Sequence, residues 1–436
     1  MDTVTASLRE VSSPTKPSSA EASVTSKSAW LALTILMVVY AVNIADRFVL
    51  STLLEAIKAD FKLSDSATGF LTGVSLAIFY IAAGLPLGAL ADRTNRKKMV
   101  AISVAVWSTM TIFCGLSTTF WQMLLMRIGV GVGEAGATPP SHSLISDKFA
   151  PRARAFALSV FGLGASIGAY LGASGAGLLN DHYGWRHTLV IFGAIGLPVA
   201  LVFLLIREPK RGQEDAQTGH AVSGATLRET ARYMRGNRAL MHVMAGATIL
   251  TFWGWWIVWW TPAFLSRSFN MTTGEAGALL GPIHGVGGTA LMLATVAVMA
   301  WFKGKPQRWT PSFVAWTTFA GTIPSIALFL THDIHTATLW LFVPVIYIYI
   351  GPTSALIQNL FPPEMRAKGC AILLFVTNLA NLAIAPQLIG TLSDVVRAQI
   401  ANPAESLRYV LLASALSGFW AAYHYWIAAR EMKRCG

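Results

Sequence analysis

A cluster of ionisable residues, Asp46, Arg127 and Glu134, interrupts long apolar stretches of this sequence. A charge in the hydrocarbon core of a bilayer is costly unless it is paired or hydrated, so we expect all three side chains to face the interior of a helix bundle. A carboxylate in such a place changes its proton affinity as water and positive charge reach it or leave it. These residue types therefore predict the uptake and release of protons.

The spacing of the three residues predicts how they pair. Arg127 and Glu134 are seven residues apart, which places them on one face of a helix and about 10 Å apart in depth. Asp46 and Arg127 each lie roughly six residues from the same end of their apolar stretches, so they are level in the membrane. We predict an Asp46–Arg127 ion pair, with Glu134 as a solitary, deeper acid. The alternative is a structural ion pair that only locks two helices together.

Other polar and aromatic residues of the apolar stretches are candidates for lining a cavity. Arg47 points about 100° away from Asp46 and either extends to the membrane surface or lines the cavity. Some aromatic residues of the tryptophan-rich stretch 252–260 fit an interfacial aromatic belt, and the rest fit a cavity wall. Asn378 and Asn381 share a helix face and either bond between helices or contact a substrate. The predicted cavity residues are Tyr40, Asn43, Arg47, Trp256, Tyr347, Asn378 and Asn381.

The composition places these residues in a membrane. The chain has 436 residues, 54% of them hydrophobic and 12% charged, with a mean hydropathy of +0.53, which is too apolar for a soluble protein of this length. A membrane-spanning helix needs about 20 apolar residues. The predicted fold class is an all-α membrane protein with twelve transmembrane helices in two six-helix halves. The predicted helices are 30–52, 67–90, 99–118, 120–146, 153–178, 187–207, 240–264, 276–302, 311–330, 337–360, 366–391 and 405–428.

A polar insertion and an internal repeat divide the chain. Phe149-x-Pro151-x-x-Arg154-Ala155 recurs as Phe361-x-Pro363-x-x-Arg366-Ala367, and Asp181 recurs as Asp394. A shift of half the chain is typical of parallel repeats in transporters. The predicted units are a disordered cytoplasmic tail over 1–29, a first half over 30–207, a cytoplasmic linker over 208–239 with an amphipathic helix at 226–237, a second half over 240–428 and a cytoplasmic tail over 429–436.

The glycines and histidines of the helices suggest packing. Gly164, Gly168 and Gly172 form a ridge at four-residue spacing, which predicts close approach of a neighbouring helix. The histidines His142, His242 and His284 are interpreted as single, unpaired contact residues. The three cysteines are isolated, and we expect no disulfide, metal site or other cofactor.

The charge distribution predicts an orientation. The net charge is +12, but most lysines and arginines lie in the tails and in the connections on one side of the predicted helices. This bias follows the positive-inside rule and predicts that both termini are cytoplasmic. The predicted location is a plasma membrane, namely a bacterial inner membrane. The basic excess therefore reflects topology and does not indicate a nucleic-acid partner. No nucleotide-binding glycine loop or catalytic cluster suggests an enzyme. The expected partners are protons, a small molecule and the lipid bilayer, with the chain acting as a monomer.

The connection between the second and third predicted helices is dense with charge. A tight turn of this kind can form and break ion pairs as two bundles move, so Gly88, Asp92, Arg93, Arg96 and Lys97 are predicted to form a gating loop. This string resembles the signature Gly-x-x-x-Asp-Arg-x-Gly-x-Arg-Lys of the major facilitator superfamily, with Asn95 and Lys97 in place of Gly and Arg. The resemblance implies that Asp92 and Arg93 belong to a latch on the inner side.

Further motifs resemble the spinster family of that superfamily. They are Asn43-x-x-Asp46-Arg47, Gly131-x-Gly133-Glu134-Ala135 and Gly184-Trp185-Arg186. The resemblance implies the major facilitator fold and proton-linked movement of lysolipids or other amphiphiles, with Asp46, Arg127 and Glu134 as coupling residues. The organic anion symporters of the superfamily share the Asp-Arg pair and the Gly-x-x-Glu-Ala string. They offer the alternative of proton-linked transport of sugar acids or aromatic acids.

Overall fold

The structure is a computed structural model that describes residues 27–91, 93–209, 225–342 and 348–435. Every regular element in these ranges is helical, which confirms the predicted fold class. Four of the predicted features lie outside the described residues: the tail up to residue 26, Asp92, residues 210–224 of the linker, and Tyr347. The first helix starts earlier than predicted, at Lys27, and the last continues through the predicted tail as far as Cys435.

We number the twelve transmembrane helices in chain order. Those of the first half are helix 1 (Lys27–Thr52), helix 2 (Asp65–Gly69, Phe70–Val74 and Ser75–Ala91), helix 3 (Arg96–Leu116), helix 4 (Phe120–Ala135 and Thr138–Lys148), helix 5 (Pro151–Tyr170, Leu171–Gly175 and the start of Ala176–Phe203) and helix 6 (the rest of Ala176–Phe203). Those of the second half are helix 7 (Arg238–Phe269), helix 8 (Thr273–Pro282, Ile283–Gly287 and Gly288–Trp301), helix 9 (Trp309–Leu330), helix 10 (Ile334–Leu341 and Ile350–Leu360), helix 11 (Arg366–Asn378, Leu379–Ile384 and Ala385–Arg397) and helix 12 (Ser406–Ala415 and Ser417–Cys435). Leu54–Phe61, Leu227–Gly236 and the 3₁₀ turn Pro403–Glu405 are short connecting helices.

Eight helical segments of the described chain are long and apolar enough to cross a membrane. One of them, Phe156–Phe203, is 48 residues long and holds both helix 5 and helix 6. Gly184 separates the two with φ at 78°, a left-handed conformation that glycine adopts without steric cost. Helices 4 and 12 are each divided into two shorter pieces, and helix 10 is described as Ile334–Leu341 and Ile350–Leu360, with residues 343–347 outside the described chain. The twelve predicted helices are thus accounted for.

Helices 2, 5, 8 and 11 each contain a π-helical turn in the described residues. Such a turn widens the helix locally and is frequent at functional sites in proteins. These same four helices carry most of the contacts that join the two halves, as described below.

Glycines bring helix 1 and helix 4 close to their neighbours and so position the charged residues. A Cβ atom at Gly168 of helix 5 would overlap the carbonyl oxygen of Ala41, so helix 5 lies directly against helix 1, as its glycine ridge predicts. In helix 4, a Cβ at Gly131 would lie 2.7 Å from the carbonyl oxygen of Leu76. Helix 4 is therefore held tightly against helix 2, with its charged face toward helix 1.

The predicted amphipathic helix of the linker is present as Leu227–Gly236. Thr226 and Glu229 form a capping box at its start, and the Thr226 backbone and side-chain hydrogen bonds lower the pKa of Glu229. Thr230 is buried, and the Tyr233 hydroxyl donates a hydrogen bond of 3.2 Å to the Leu360 carbonyl. The linker helix is thus docked on the end of helix 10.

Candidate functional site

The predicted ion pair between helices 1 and 4 is present. The Arg127 guanidinium donates from Nη1 to Asp46 Oδ2 at 3.2 Å, and both side chains are buried. The Thr111 hydroxyl of helix 3 donates to the other oxygen, Asp46 Oδ1, at 2.6 Å. Because both carboxylate oxygens accept a hydrogen bond, Asp46 is well stabilised as an anion here.

Glu134 also has a cationic partner, which the prediction of a solitary acid missed. Arg47 donates from Nε and Nη2 to Glu134 Oε2 at 3.0 and 2.6 Å. The position of a residue along its helix predicts the level of its backbone in the membrane, but not how far its side chain extends from that level. Arg47 sits on a different face of helix 1 from Asp46, and its long side chain reaches down to Glu134. Its guanidinium also lies 5.5 Å from the Tyr80 ring.

The two pairs differ in how their atoms are satisfied. Glu134 Oε1 is buried and has no hydrogen-bond partner among the described residues, and neither does Arg127 Nε. A buried carboxylate oxygen without a donor is costly to keep charged and is the natural place for a proton. Glu134 therefore keeps one buried acceptor oxygen free, whereas both carboxylate oxygens of Asp46 accept hydrogen bonds.

A cavity of about 290 Å³ lies between the two halves, beside these pairs. Helix 1 forms one wall, from which Arg47 contributes the one charged side chain in this described lining. Helices 7, 10 and 11 form the other wall, which is aromatic and polar but uncharged. The lining residues are Tyr40, Ile44, Arg47, Phe48, Ala247, Thr251, Trp255, Trp259, Tyr349, Ile350, Thr353, Ser354, Leu373, Leu374, Thr377, Asn378 and Asn381.

Four of the predicted cavity residues line this cavity: Tyr40, Arg47, Asn378 and Asn381. Asn43 does not; it is buried within the first half. The prediction for Tyr347 lies outside the described residues.

The tryptophan prediction chose the wrong face of helix 7. Trp256 is buried in the second-half core against Phe252, with ring centroids 4.3 Å apart, and does not line the cavity. Trp255 and Trp259 face the cavity instead, stacked at 5.8 Å. These two are four residues apart and share a helix face, a periodicity that the sequence contains.

The uncharged wall is organised by hydrogen bonds. The hydroxyls of Thr251 and Tyr349 are 2.7 Å apart, and Trp259 donates from Nε1 to Asn381 Oδ1 at 3.3 Å. Thr251 and Thr353 were not predicted, because single threonines in apolar helices more often bond to their own backbone. This wall offers hydroxyl and amide groups beside two indole rings.

The predicted gating loop shows contacts within the first half. Arg96 is buried and pairs with Asp147 and, at 3.3 Å, with Glu208. Lys97 donates from Nζ to the Leu204 carbonyl at 3.1 Å. These contacts tie helix 3 to the ends of helices 4 and 6. Of the remaining predicted loop residues, Gly88 has no atom within 4 Å of an added Cβ, and the side chain of Arg93 is exposed. Asp92 lies outside the described residues.

The two halves are joined by a charge cluster at the opposite end of the bundle, where helix 2 begins. Asp65 is fully buried there, and Arg267 of helix 7 pairs with it at 2.7 Å and with Glu55 at 2.5 Å. Arg397 of helix 11 pairs with Asp65 at 2.9 Å, and Lys58 also contacts it. Sequence reasoning missed this cluster, because its members are ordinary loop charges until the fold brings them together.

Two repeat-related aspartates add symmetric contacts at the same end. Asp394 at the end of helix 11 accepts from the backbone N–H groups of Asp65 and Ser66 at 2.9 and 2.8 Å. Asp181 at the end of helix 5 accepts from the Thr272 hydroxyl and the Gly274 N–H at 2.7 and 3.0 Å. Each aspartate thus caps the start of a helix in the other half, helix 2 or helix 8, where a negative charge is favoured.

One histidine prediction was wrong. His242 of helix 7 is not single, because its Nδ1 lies 2.8 Å from Nδ1 of His424 in helix 12. His142 packs edge-on against Phe161. His284 is buried, with its ring 5.3 Å from that of Phe48.

Known proteins share this architecture over nearly the whole chain. Residues 36–386 match the family model of the Major Facilitator Superfamily. An MFS-type efflux pump of Mycolicibacterium smegmatis is 30% identical over 94% of both chains. A sphingosine-1-phosphate transporter of Danio rerio is 25% identical over 81% of this chain and 73% of its own. A crystal structure of a bacterial homolog of the human lysosomal transporter spinster, inward-facing and unoccupied, is 27% identical, has a TM-score of 0.83 and covers 94% of this chain and 98% of its own.

Proposed function

This chain belongs to the Major Facilitator Superfamily as a spinster-like integral membrane transporter, not an enzyme, and we propose that it moves a small organic or amphipathic solute by proton-coupled alternating access. The observation that carries this proposal is the Arg47–Glu134 pair. Glu134 is the buried acid with a free oxygen, and Arg47 is the cation of the cavity wall. A proton and a substrate therefore meet at one ion pair.

Coupling follows from the chemistry of that pair. When a proton binds to Glu134 Oε1, an O–H bond forms and the carboxylate loses its charge. The attraction that holds Arg47 is then weakened, and its guanidinium becomes available to a polar or anionic group in the cavity. When the proton leaves, Glu134 recovers its charge and competes with the substrate for Arg47.

The Asp46–Arg127 pair supports this exchange. Arg127 lies on the same helix as Glu134, two turns away, and would otherwise offer Glu134 a second cation. Asp46 holds Arg127 at 3.2 Å, and the Thr111 hydroxyl fixes Asp46 in turn. Glu134 consequently pairs with Arg47 alone among the described residues, and the position of Arg47 depends on what occupies the cavity. In this proposal all three predicted coupling residues act together with Arg47.

Alternating access is supported by the contacts that close one end of the bundle. The Asp65 cluster and the caps made by Asp181 and Asp394 join the halves where helices 2 and 8 begin. We propose that the opposite end, with Lys27 and Cys435, faces the cytoplasm of a bacterial inner membrane, and the distribution of basic residues supports this orientation. In that orientation the structure is closed to the outside, which agrees with its similarity to an inward-facing relative. The gating loop with Asp92 and Arg93 would close the inner end in the other state.

The cavity favours a solute with an apolar or aromatic part and polar groups that form hydrogen bonds. Trp255 and Trp259 offer flat apolar faces, and Asn378, Thr353 and Ser354 offer hydrogen bonds. This combination suits the spinster-like proposal of a lysolipid or other amphiphile. The cavity lies between the halves of a single chain, so a monomer suffices.

A second candidate is proton-linked symport of a sugar acid or aromatic acid, which one observation favours. Arg47 is a single cation facing a neutral wall, an arrangement that can bind one carboxylate bidentately.

Accumulation in proteoliposomes under an imposed pH gradient tests the proposed function. The test compounds are lysolipids, aromatic acids and sugar acids. Each is supplied once to vesicles with equal pH on both sides and once to vesicles with a pH gradient. We expect one class to accumulate only with the gradient. Accumulation that is identical with and without the gradient would refute proton coupling, and the class that accumulates decides between the two candidates.

A further inference from the structure

A groove separate from the central cavity runs along the outer surface between helices 9 and 12. It encloses about 330 Å³, and its walls are aromatic rings, most of them exposed. Ala315 and Ala422 are buried and form its floor. The lining residues are Ala315, Trp316, Phe319, Phe419, Ala422, Tyr423 and Trp426. None of them belongs to the cavity or the charge pairs described above.

The shape of the groove follows from residue size. A Cβ at Gly418 would overlap the Thr322 hydroxyl, so helices 9 and 12 touch at that level. Toward the end of helix 12, the small side chains of Ala315 and Ala422 leave a channel between helices 9 and 12. Larger side chains at these positions would fill that space. Phe319 and Phe419 close its upper end, with ring centroids 5.1 Å apart. The result is a narrow apolar slot that is open along its length.

A cation stands at the other end of this slot. The Arg430 guanidinium carbon lies 3.9 Å from the centroid of the Trp426 ring. Arg430 is exposed. An arginine stacked on an indole keeps its planar donor edge free for bidentate binding to phosphate. Lys433 is exposed one turn further on and adds a second positive charge.

We propose that this groove binds an anionic phospholipid of the leaflet in which helix 12 ends, with an acyl chain between the aromatic walls and the phosphate on Arg430. The slot is apolar throughout, which suits an acyl chain, and the charge at its mouth complements an anionic head group. Tryptophan and arginine next to each other are typical of the membrane interface, where a head group lies. The proposal does not depend on proton coupling or on the identity of the substrate.

Native mass spectrometry of the detergent-solubilised protein tests this site. Phosphatidylglycerol and phosphatidylcholine with the same acyl chains are titrated separately. We expect the wild type to retain phosphatidylglycerol in preference. Arg430→Ala and Arg430→Gln should each lower the affinity for phosphatidylglycerol about fivefold, since one arginine at an anionic membrane surface is worth about that much. The affinity for phosphatidylcholine should fall less, because its phosphate is balanced by the choline cation.

Arg235→Ala is the matched control, because Arg235 is an exposed arginine of the linker helix that does not line the groove, and its replacement removes the same charge. It should leave phosphatidylglycerol binding unchanged. Trp316→Ala should weaken the binding of both lipids by removing one wall. Equal losses in the Arg430 and Arg235 variants, or no preference for phosphatidylglycerol in the wild type, would overturn the proposal.

Discussion

Arg47 and Glu134 lie 87 positions apart in the sequence, yet two N–H groups of Arg47 donate to the same oxygen of Glu134, at 3.0 and 2.6 Å. The other carboxylate oxygen has no partner in the part of the chain that the structure describes. The proposed function depends on this asymmetry, since the free oxygen can take a proton while Arg47 faces the cavity.

Removing Arg127 should destabilise the protein strongly. Arg127→Ala leaves the buried Asp46 carboxylate with only the Thr111 hydroxyl, and loss of one partner from a buried pair costs about 3–5 kcal/mol. Arg127→Lys keeps a charge and should cost less. Thermal unfolding in detergent measures both, and equal losses would argue against a specific contact with Asp46. The double variant Asp46→Asn, Arg127→Gln should be more stable than Arg127→Ala, because no unpaired charge remains.

Gly168 should not tolerate a larger side chain. The added Cβ of Gly168→Ala overlaps the Ala41 carbonyl oxygen and would push helix 5 away from helix 1, which carries Asp46 and Arg47. We expect a lower melting temperature and reduced transport. Gly162→Ala is the control in the same helix, since no atom lies within 4 Å of its added Cβ, and helix propensity favours alanine there. A melting temperature unchanged in Gly168→Ala would contradict the close packing.

Neighbouring tryptophans of helix 7 should separate binding from stability. Trp255→Ala removes a cavity wall and should weaken substrate binding with a small effect on unfolding. Trp256→Ala creates a hole in the second-half core and should cost about 3–5 kcal/mol of stability. Binding is measured by substrate-induced thermal stabilisation. If Trp256→Ala weakened binding while Trp255→Ala did not, the assignment of the cavity face would be wrong.

Asp394 should hold the halves together on the outer side. Asp394→Asn removes the charge that caps the start of helix 2 across the interface, which should shift the population toward the state open to the outside. Ser51 is buried between the halves, where its hydroxyl donates to the Trp259 carbonyl at 2.8 Å. A Ser51→Cys probe should therefore react several-fold faster with a membrane-impermeant thiol reagent added outside. Asp333→Asn is the control, because Asp333 caps the start of its own helix and joins no halves. Equal labelling in both backgrounds would exclude Asp394 from the closure.

The sequence predicts the depth of a residue in the membrane better than it predicts the direction in which its side chain points. Asp46 and Arg127 could be paired because both are charges at one depth in apolar helices, where a partner is nearly obligatory. The Arg47–Glu134 pair was missed because it depends on helix rotation and on the reach of an arginine. Because the sequence does not fix the rotation of helix 7, the prediction placed Trp256 in the cavity wall instead of Trp255 and Trp259. His242 and His424 lie 182 positions apart, and only the packing of helices 7 and 12 brings them together.

The most direct test of proton coupling compares two modes of transport in Glu134→Gln proteoliposomes. Glutamine keeps the size and can still accept from Arg47, but it cannot exchange a proton. We predict that the variant still exchanges labelled for unlabelled substrate at equal pH on both sides, and that a pH gradient no longer drives accumulation. Gradient-driven accumulation equal to that of the wild type would contradict the role of Glu134.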